Sequence, residues 1–452
     1  MTAHTTVELD PPTTLLGQLQ RGLGRGQLTP RRTKAGASEL VHCVTHDPRW
    51  DRQVEERAGY YAQLAVLLVV EVDSFAAAVR AGDPERGDGS LASDVLMEMA
   101  LRGRADALSA LRAELRHEGW LLALESLANG EERHGRSLIG DDDLRVVAGR
   151  DAASLRSAVR TQGALPWCRW AERASALASF LAPDSAAPGR PPLRALDPQM
   201  STEDLLAIDD PGQWSRVAEL LTPRTDAGSV ALMLDAARSG ARTAQLAACQ
   251  VLGRQSRQDL LDEFRAMWAD PGFDRRRMAP VLRYLEALPP EVTLPHAREW
   301  QTREGAAATA SDAILARHAE PEDRAPIETS LSSALAEQAM YRACSMVEAL
   351  GVIGDDRSTD ILVAAFERSP YSWIRHRVLD ALAGCDSDAL DALATEALWD
   401  CDLKAREVGA TSSPETPACR GRLREIERDP LEEREVRDAA AHRLANSPSL
   451  NP

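Results

Sequence analysis

The chain has 452 residues, enough for two or three domains or for one extended array of repeats. Hydrophobic residues make up 44% of it and charged residues 27%, proportions that exclude a wholly disordered chain and a bundle of membrane-spanning helices. Only 4% are aromatic, which argues against a β-sandwich or barrel, so helix is the predicted element. The net charge of −17 repels a phosphate backbone and makes nucleic acid an unfavoured partner.

Amphipathic helices are predicted along the whole chain, because apolar residues recur at helical spacing, as at Leu108, Leu111 and Leu115. From Leu252 to Leu444, comparable helix positions recur with a mean spacing of 32 residues, which indicates stacked helix pairs. Short breaks with an Asp or Ser followed by Pro are interpreted as helix starts, since the side chain can cap free N–H groups. These breaks are Asp47-Pro48, Asp270-Pro271, Ser369-Pro370 and Asp429-Pro430.

One stretch, LAPDSAAPGRPPLRALDPQM at 181–200, is rich in Pro and Ala and predicts a linker or an irregular crossover. It divides a predicted N-terminal helical array, 15–180, from a predicted C-terminal array, 201–447. Residues 1–14 and 448–452 are predicted to be disordered ends.

Three segments carry a resemblance to a known family: DPRWDRQVEERAGYYAQL (47–64), SPYSWIRHRVLDALAGC (369–385) and DPLEEREVRDAAAHRLA (429–445). They resemble HEAT repeats in their short bacterial form, most clearly over about 200–447 and more loosely over 15–130. The resemblance implies an all-α, armadillo-type solenoid of stacked antiparallel helix pairs, in which the second helix of each pair lines a concave face. Such arrays serve as scaffolds, as grips for proteins or peptides and occasionally as enzymes, so the fold alone implies no reaction.

Few residues suggest chemistry. His42, Cys43 and His46 form an H-C-x-x-H cluster with both histidines on one helix face, yet a closed metal site needs further ligands, and a structural role is favoured. The Gly22 to Gly26 segment looks like a phosphate loop but follows a predicted helix rather than a strand, so it is interpreted as a helix-terminating loop. A nucleophile elbow, a paired-His zinc helix and a glycine-lysine phosphate loop are absent from the sequence. We therefore predict no catalytic residue, no metal and no cofactor.

Aromatic and arginine side chains gather at the heads of the predicted inner helices, and Trp and Arg are frequent anchors of protein interfaces. The candidate partner-binding residues are Trp50, Arg52, Arg57, Tyr60, Arg276, Trp373, Arg375 and Arg377. The competing interpretation is that the aromatic rings seal one repeat against the next, while the arginines bridge to acidic residues of the adjacent unit.

The sequence thus favours a non-enzymatic scaffold or adaptor that binds a protein or peptide on a concave face. A cytoplasmic location is expected, because the seven cysteines form no C-x-x-C pair and the first residues lack the pattern of a signal peptide. No membrane association is expected, since the most apolar stretch, 62–72, is shorter than the ~20 residues needed to cross a bilayer.

The alternative function comes from the resemblance, because some alkylpurine DNA glycosylases are built on HEAT-like helices and place a carboxylate beside aromatic rings in a basic groove. Trp50-Asp51 and Trp399-Asp400 offer that pairing as neighbours in the sequence. The net charge of −17 argues against this alternative.

Overall fold

The computed structural model describes residues 8–83, 87–162, 164–181, 196–268, 278–385 and 387–446. Within these ranges the chain is all-helical and contains no strand, which confirms the predicted fold class at this level. In the described ranges, three short 3₁₀ helices lie at Ser175–Leu181, Pro321–Asp323 and Asp356–Ser358. The α-helices are α1 (Leu15–Arg21), α2 (Gly24–Thr33), α3 (Ala37–His46), α4 (Ala58–Leu67), α5 (Asp73–Ala81), α6 (Ser90–Leu101), α7 (Ala105–Glu114), α8 (Trp120–His134), α9 (Asp141–Ala148), α10 (Ala152–Gln162), α11 (Ala164–Arg173), α12 (Thr202–Leu206), α13 (Trp214–Leu221), α14 (Ala227–Ser239), α15 (Arg242–Arg254), α16 (Leu261–Trp268), α17 (Met278–Ala287), α18 (Pro290–Trp300), α19 (Ala306–His318), α20 (Arg324–Ala336), α21 (Met340–Ile353), α22 (Thr359–Arg368), α23 (Ile374–Leu382), α24 (Ser387–Ala397), α25 (Leu403–Ser412), α26 (Pro417–Arg428) and α27 (Arg434–Asn446).

The Asp-Pro and Ser-Pro breaks end helices rather than start them, which corrects the sequence interpretation. Asp47 and Asp429 follow the last residues of α3 and α26, and Ser369 follows the last residue of α22. The residue before a proline is biased against helical backbone, so the helix stops there. The side-chain oxygen then accepts the backbone N–H two residues on, which forms a local turn. These bonds are Arg49 N to Asp47 at 3.3 Å, Tyr371 N to Ser369 at 3.1 Å and Leu431 N to Asp429 at 2.9 Å. Asp270-Pro271 lies outside the described residues.

The chain forms two compact units. Unit 1 comprises 1–187 and 362–452, and unit 2 comprises 188–361, with the second boundary inside α22. The residues of the expected C-terminal array, 201–447, are therefore distributed over both units, and 362–446 belong with the N-terminal helices. The first boundary falls within the expected linker, 181–200, of which 182–195 lie outside the described residues, as do 1–7 and 447–452 at the expected disordered ends.

Within each unit, a helix typically packs against the helix next to it in the chain and against the second helix along the chain. In unit 2, α13, α15, α17, α19 and α21 contact one another in succession, while α14, α18 and α20 each pack on the helix that follows. In unit 1, α23, α25 and α27 form such a row and are flanked by α24 and α26. Amphipathic helices bury their apolar faces in this way, against two neighbours rather than one.

The main core of unit 1 is built from the N-terminal helices, around the buried side chains of Tyr61, Phe75, Trp167 and Trp170. Cys401, from the C-terminal part of the chain, belongs to the same core, and its backbone N–H donates to the Gly22 carbonyl at 3.0 Å. A smaller core lies between α25, α26, α27 and the residues that follow α24. Among the described residues, no helix combines the length and apolar character that crossing a bilayer requires.

Candidate functional site

A fully buried carboxylate organises the loop that precedes α4. Glu55 Oε1 accepts the backbone N–H groups of Trp50 at 2.7 Å and Asp51 at 2.9 Å. Its Oε2 accepts Nη2 of Arg57 at 2.6 Å and the backbone N–H of Ser372 at 3.0 Å. Burial alone would lower the pKa of Arg57, but the Glu55 carboxylate raises it well above its ordinary value. The loop is therefore fixed to the turn that precedes α23.

A second buried ion pair joins α23 to the turn before α25. Arg375 Nε lies 2.7 Å from Asp400 Oδ2 and its Nη2 lies 2.8 Å from Oδ1, so the contact is bidentate, and neither side chain is exposed. Arg375 Nη2 also lies 3.2 Å from the Sγ of Cys401. Burial raises the pKa of Cys401 to about 12, so its thiol stays protonated at neutral pH.

These contacts bring together a cavity of about 890 Å³ within unit 1, called the groove below. One wall comes from α4, α6, α8 and the loop before α4; the other comes from the first turns of α23 and α25, from α26, and from residues 399–402 and 431–433. The lining contains eight Lys or Arg and nine Asp or Glu residues, a near balance in a chain whose net charge is −17. The charged lining residues are Arg49, Glu56, Arg57, Asp94, Glu98, Arg102, Glu132, Arg133, Arg377, Asp400, Asp402, Lys404, Arg406, Arg422, Glu432, Glu433 and Glu435.

The wall formed by α6 and α8 is acidic. Asp94 accepts the hydroxyl of Ser126 at 2.6 Å, and burial raises the pKa of this carboxyl above its usual range. Glu98 pairs with Arg102 of the same helix and lies 3.9 Å from Arg133. This wall therefore combines one carboxyl whose pKa is raised, that of Asp94, with one carboxylate paired with arginines, that of Glu98.

Two tryptophans line the groove. Trp373 is 38% exposed, the largest exposed aromatic side chain in the described part of unit 1, and the guanidinium carbon of Arg377 lies 6.0 Å from its ring centroid. Trp399 is partly buried and carries two guanidinium groups: Cζ of Arg422 lies 3.7 Å and Cζ of Arg31 lies 4.4 Å from its ring centroid. Contacts of this length are favourable cation–π interactions. The groove thus offers apolar surface with cations beside it.

Of the candidate residues from the sequence, Trp373, Arg377 and the buried Arg57 line the groove. Tyr60 also lines it but is 5% exposed and donates its hydroxyl to the Leu23 carbonyl at 2.7 Å. Arg52 lies near the surface and pairs with Asp47 at 3.2 Å and Asp88 at 2.8 Å. Arg276 lies outside the described residues.

Three further candidates are interior residues. Trp50 is 7% exposed and packs on Tyr371 with ring centroids 5.0 Å apart, while Arg57 and Arg375 are fully buried in the ion pairs described above. Their burial gives them a structural role, close to the competing interpretation that such residues join one repeat to the next. We assign them no direct contact with a partner.

Sequence reasoning missed Trp399 together with Arg31 and Arg422 as a cluster. The sequence singles out Trp399 only as the neighbour of Asp400, whose carboxylate binds Arg375. Arg31 and Arg422 are about 390 residues apart in the chain, so helical spacing gives no signal that they share one ring.

The other motifs have structural explanations. The rings of His42 and His46 stack with centroids 4.2 Å apart, and Cys43 is buried beside them on α3. Across the described ranges, no group of three His, Cys, Asp or Glu side chains could hold a metal ion. Gly22 ends α1 in the left-handed conformation with φ +71°, as the sequence predicts, but α2 already begins at Gly24, so the Gly22 to Gly26 segment is a tight turn followed by helix rather than a loop. Comparisons with family models, with curated proteins and with solved structures found no match to this chain.

Proposed function

We propose that the chain is a HEAT-like helical-repeat protein that binds a peptide segment of a partner protein in the groove of unit 1. It acts as a scaffold or adaptor rather than as an enzyme. The observation that carries this proposal is the groove itself, whose volume of about 890 Å³ is within the range of ligand pockets and whose wall presents the exposed ring of Trp373. A partly exposed Trp beside a concavity is the side chain that most often anchors a protein interface.

A repeated ion pair supports the assignment to helical repeats. Arg375 binds Asp400 through two nitrogens, and Arg406, which is 31 residues later, binds Glu432 through Nε at 3.1 Å and Nη2 at 2.9 Å. Each arginine lies in the first turn of its helix, and each carboxylate lies in the turn before the next helix of the row α23, α25 and α27. The same contact at an interval close to the spacing found in the sequence is what a stack of similar helix pairs produces.

One observation supports a location in the cytoplasm, and another supports binding over catalysis. All seven cysteines are free thiols, as in a reducing compartment. The carboxylate of Asp400, one of the two that the glycosylase alternative offers as a reactive group, already accepts Arg375 and the backbone N–H of Asp402 at 2.8 Å. A carboxylate with these partners and no exposure is poorly placed to activate water.

The test is selection of twelve-residue peptides from a random displayed library on the immobilised full-length chain. Peptides that bind in the groove should lose at least tenfold in affinity when Trp373 is replaced by Ala, because anchor residues contribute about 2 kcal/mol or more. The matched control is Trp214→Ala in unit 2, since Trp214 is also partly exposed and carries an arginine, Arg283, with its guanidinium carbon 5.2 Å from the ring centroid. This control should leave the affinity unchanged.

Failure to enrich any peptide, or equal loss of affinity in both tryptophan variants, would contradict the proposal. Binding of labelled duplex DNA that weakens steeply with salt, together with release of an alkylated base, would instead support the glycosylase alternative.

A further inference from the structure

Two guanidinium groups, those of Arg31 and Arg422, lie on the ring of Trp399. Of the hydrogen bonds that they make within the described part of the chain, one goes to a carboxylate, that of Glu425. Arg31 donates to the side-chain oxygens of Gln27 at 3.3 Å and Gln63 at 3.2 Å, and both acceptors are neutral amides. Arg422 donates to the Leu398 carbonyl at 3.2 Å and to Glu425, also at 3.2 Å. The Glu425 side chain is 62% exposed, so water screens its charge, whereas that of Arg422 is only 11% exposed.

Three other buried arginines of unit 1 are compensated differently, although in Arg21 burial and neighbouring arginines also lower the pKa to about 10. Arg57, Arg375 and Arg406 each face a carboxylate that is at most 4% exposed, and each has a pKa above its ordinary value despite burial. For Arg422 the direction is opposite, because burial, reinforced by the charge of Arg31, lowers its pKa to about 10 although Glu432 and Glu425 oppose the shift. Burial also lowers the pKa of Arg31. Arg422 lines the groove, and Arg31, which is not a lining residue, lies against the lining side chain of Trp399, so positive charge is incompletely balanced at this end of the groove.

We propose that Arg31 and Arg422 bind a carboxylate of the partner segment, supplied by an Asp or Glu side chain or by a chain terminus, so that the groove recognises a peptide through a carboxylate. This inference rests on the proposed function and names its ligand chemistry. The planar guanidinium groups can donate paired N–H bonds to the two carboxylate oxygens, while the edge of Trp399 supports the apolar part of the side chain.

The rest of the lining favours a peptide over a nucleic acid. Glu56, Asp94 and Glu132 contribute negative charge to the wall built from α4, α6 and α8, and acidic residues outnumber basic ones in the groove as a whole. A phosphate backbone carries a charge at every nucleotide and would meet this wall. A peptide can present a single carboxylate to the arginines and neutral or basic residues elsewhere.

The experiment compares two pools of fluorescein-labelled ten-residue peptides by fluorescence anisotropy with the full-length chain. The pools share the same mixed sequences, but one has Glu at two fixed positions where the other has Gln; each pool is made with a free and with an amidated C-terminus. The Glu pool should bind at least tenfold more tightly than the Gln pool when both are amidated. If the chain terminus is the preferred source, the free acid of the Gln pool should recover that difference.

The decisive variant is Arg31→Gln with Arg422→Gln, in which the pools with and without carboxylates should bind equally. Its matched control is Arg32→Gln with Arg424→Gln, which removes the same charge from exposed positions on the same two helices and should keep the tenfold preference. If the double variant does not fold, Arg31→Gln alone carries the test, because Arg31 bonds to two neutral amides, and at least a threefold loss is expected.

The remaining outcomes separate this inference from the proposed function. If both pools bind equally and Trp373→Ala weakens that binding, the inferred recognition of a carboxylate is wrong, but the proposed peptide binding stands. Binding of neither pool would overturn both. If a labelled duplex DNA binds more tightly than the Glu pool, and this binding is lost in the Arg31 and Arg422 variant, the two arginines bind phosphate and the peptide ligand is wrong.

Discussion

The carboxylate of Glu55 accepts a 3.0 Å hydrogen bond from the backbone N–H of Ser372, which lies 317 residues later in the chain. The same carboxylate oxygen accepts Arg57 Nη2, and that nitrogen also donates to the Pro370 carbonyl at 2.9 Å. One buried ion pair therefore connects an N-terminal loop to a C-terminal turn of unit 1. Because Arg57 and Trp373 both line the groove, the positions of its two walls depend on this connection.

Replacing Glu55 with Gln should destabilise unit 1 strongly. The substitution leaves the Arg57 guanidinium buried without a counter-charge, a change that costs about 3–5 kcal/mol in the free energy of unfolding. The local effect is measured by hydrogen exchange and mass spectrometry, which should show faster exchange in peptides that contain 369–377. Glu56→Gln is the control, because Glu56 is exposed and loses the same charge. Equal acceleration in both variants would mean that the ion pair does not hold the turn.

The pair between Arg375 and Asp400 should show strong non-additivity. Asp400→Asn strands a fully buried arginine and should lower the free energy of unfolding by about 3–5 kcal/mol, whereas replacing both residues with apolar side chains of similar size can be close to neutral. We expect Arg375→Met with Asp400→Leu to be more stable than Asp400→Asn alone. Urea unfolding followed by circular dichroism measures all three chains. A double variant that is the least stable of them would show that the charges contribute net stability.

How far the sequence predicts this structure depends on the range of the contact. Local signals are sufficient for helix content and for the helix end at Gly22, since both depend on a few neighbouring residues. The Ser369-Pro370 break was assigned to the wrong end of a helix, because its side chain accepts an N–H within the turn instead of capping the next helix. The sequence did not indicate that 362–446 would join the N-terminal helices, since that contact depends on non-local bonds such as the one from Cys401 to Gly22.

The sequence predicts only part of the candidate site, again because some of the contacts that form it are non-local. Trp50 and Trp373 follow similar breaks, so the sequence treats them alike. The structure buries Trp50 against Tyr371 and leaves Trp373 at 38% exposure. Which of two equivalent aromatic side chains faces solvent is decided by the segment packed on it, and here that segment comes from the other end of unit 1.

Asp312 should make the stability of unit 2 depend on pH. It is 7% exposed, and burial raises its pKa to about 6, although Arg342 lies 3.5 Å away and opposes the shift. The folded chain therefore binds this proton more tightly than the unfolded chain, whose aspartate has a pKa of about 4. The contribution of Asp312 to stability is greatest below about pH 4, falls as the pH rises to about 6, and is constant above that; two pKa units correspond to about 3 kcal/mol.

The measurement is urea unfolding of the native chain and of Asp312→Asn between pH 4 and pH 7. The variant lacks the titrating group, so its free energy of unfolding relative to the native chain should increase by up to about 3 kcal/mol over this range. Asp209→Asn is the control, because Asp209 is an exposed aspartate of the same unit, and its difference from the native chain should stay within about 0.5 kcal/mol. A constant difference for Asp312→Asn would show that Asp312 does not titrate in this range.

Two helical glycines of unit 1 should respond to alanine in opposite directions. A Cβ added to Gly24 would lie 1.9 Å from the Glu396 carbonyl oxygen, a backbone atom that cannot move aside without separating α2 from α24. Gly24→Ala should therefore lower the free energy of unfolding by at least about 1–3 kcal/mol, the usual cost of overpacking. Gly421, inside α26, has no atom within 4 Å of its added Cβ, so Gly421→Ala should raise the free energy of unfolding by about 0.5–1 kcal/mol through helix propensity. Urea unfolding of both variants checks the signs, and a stabilising Gly24→Ala would show that the N-terminal and C-terminal helices of unit 1 do not pack this closely.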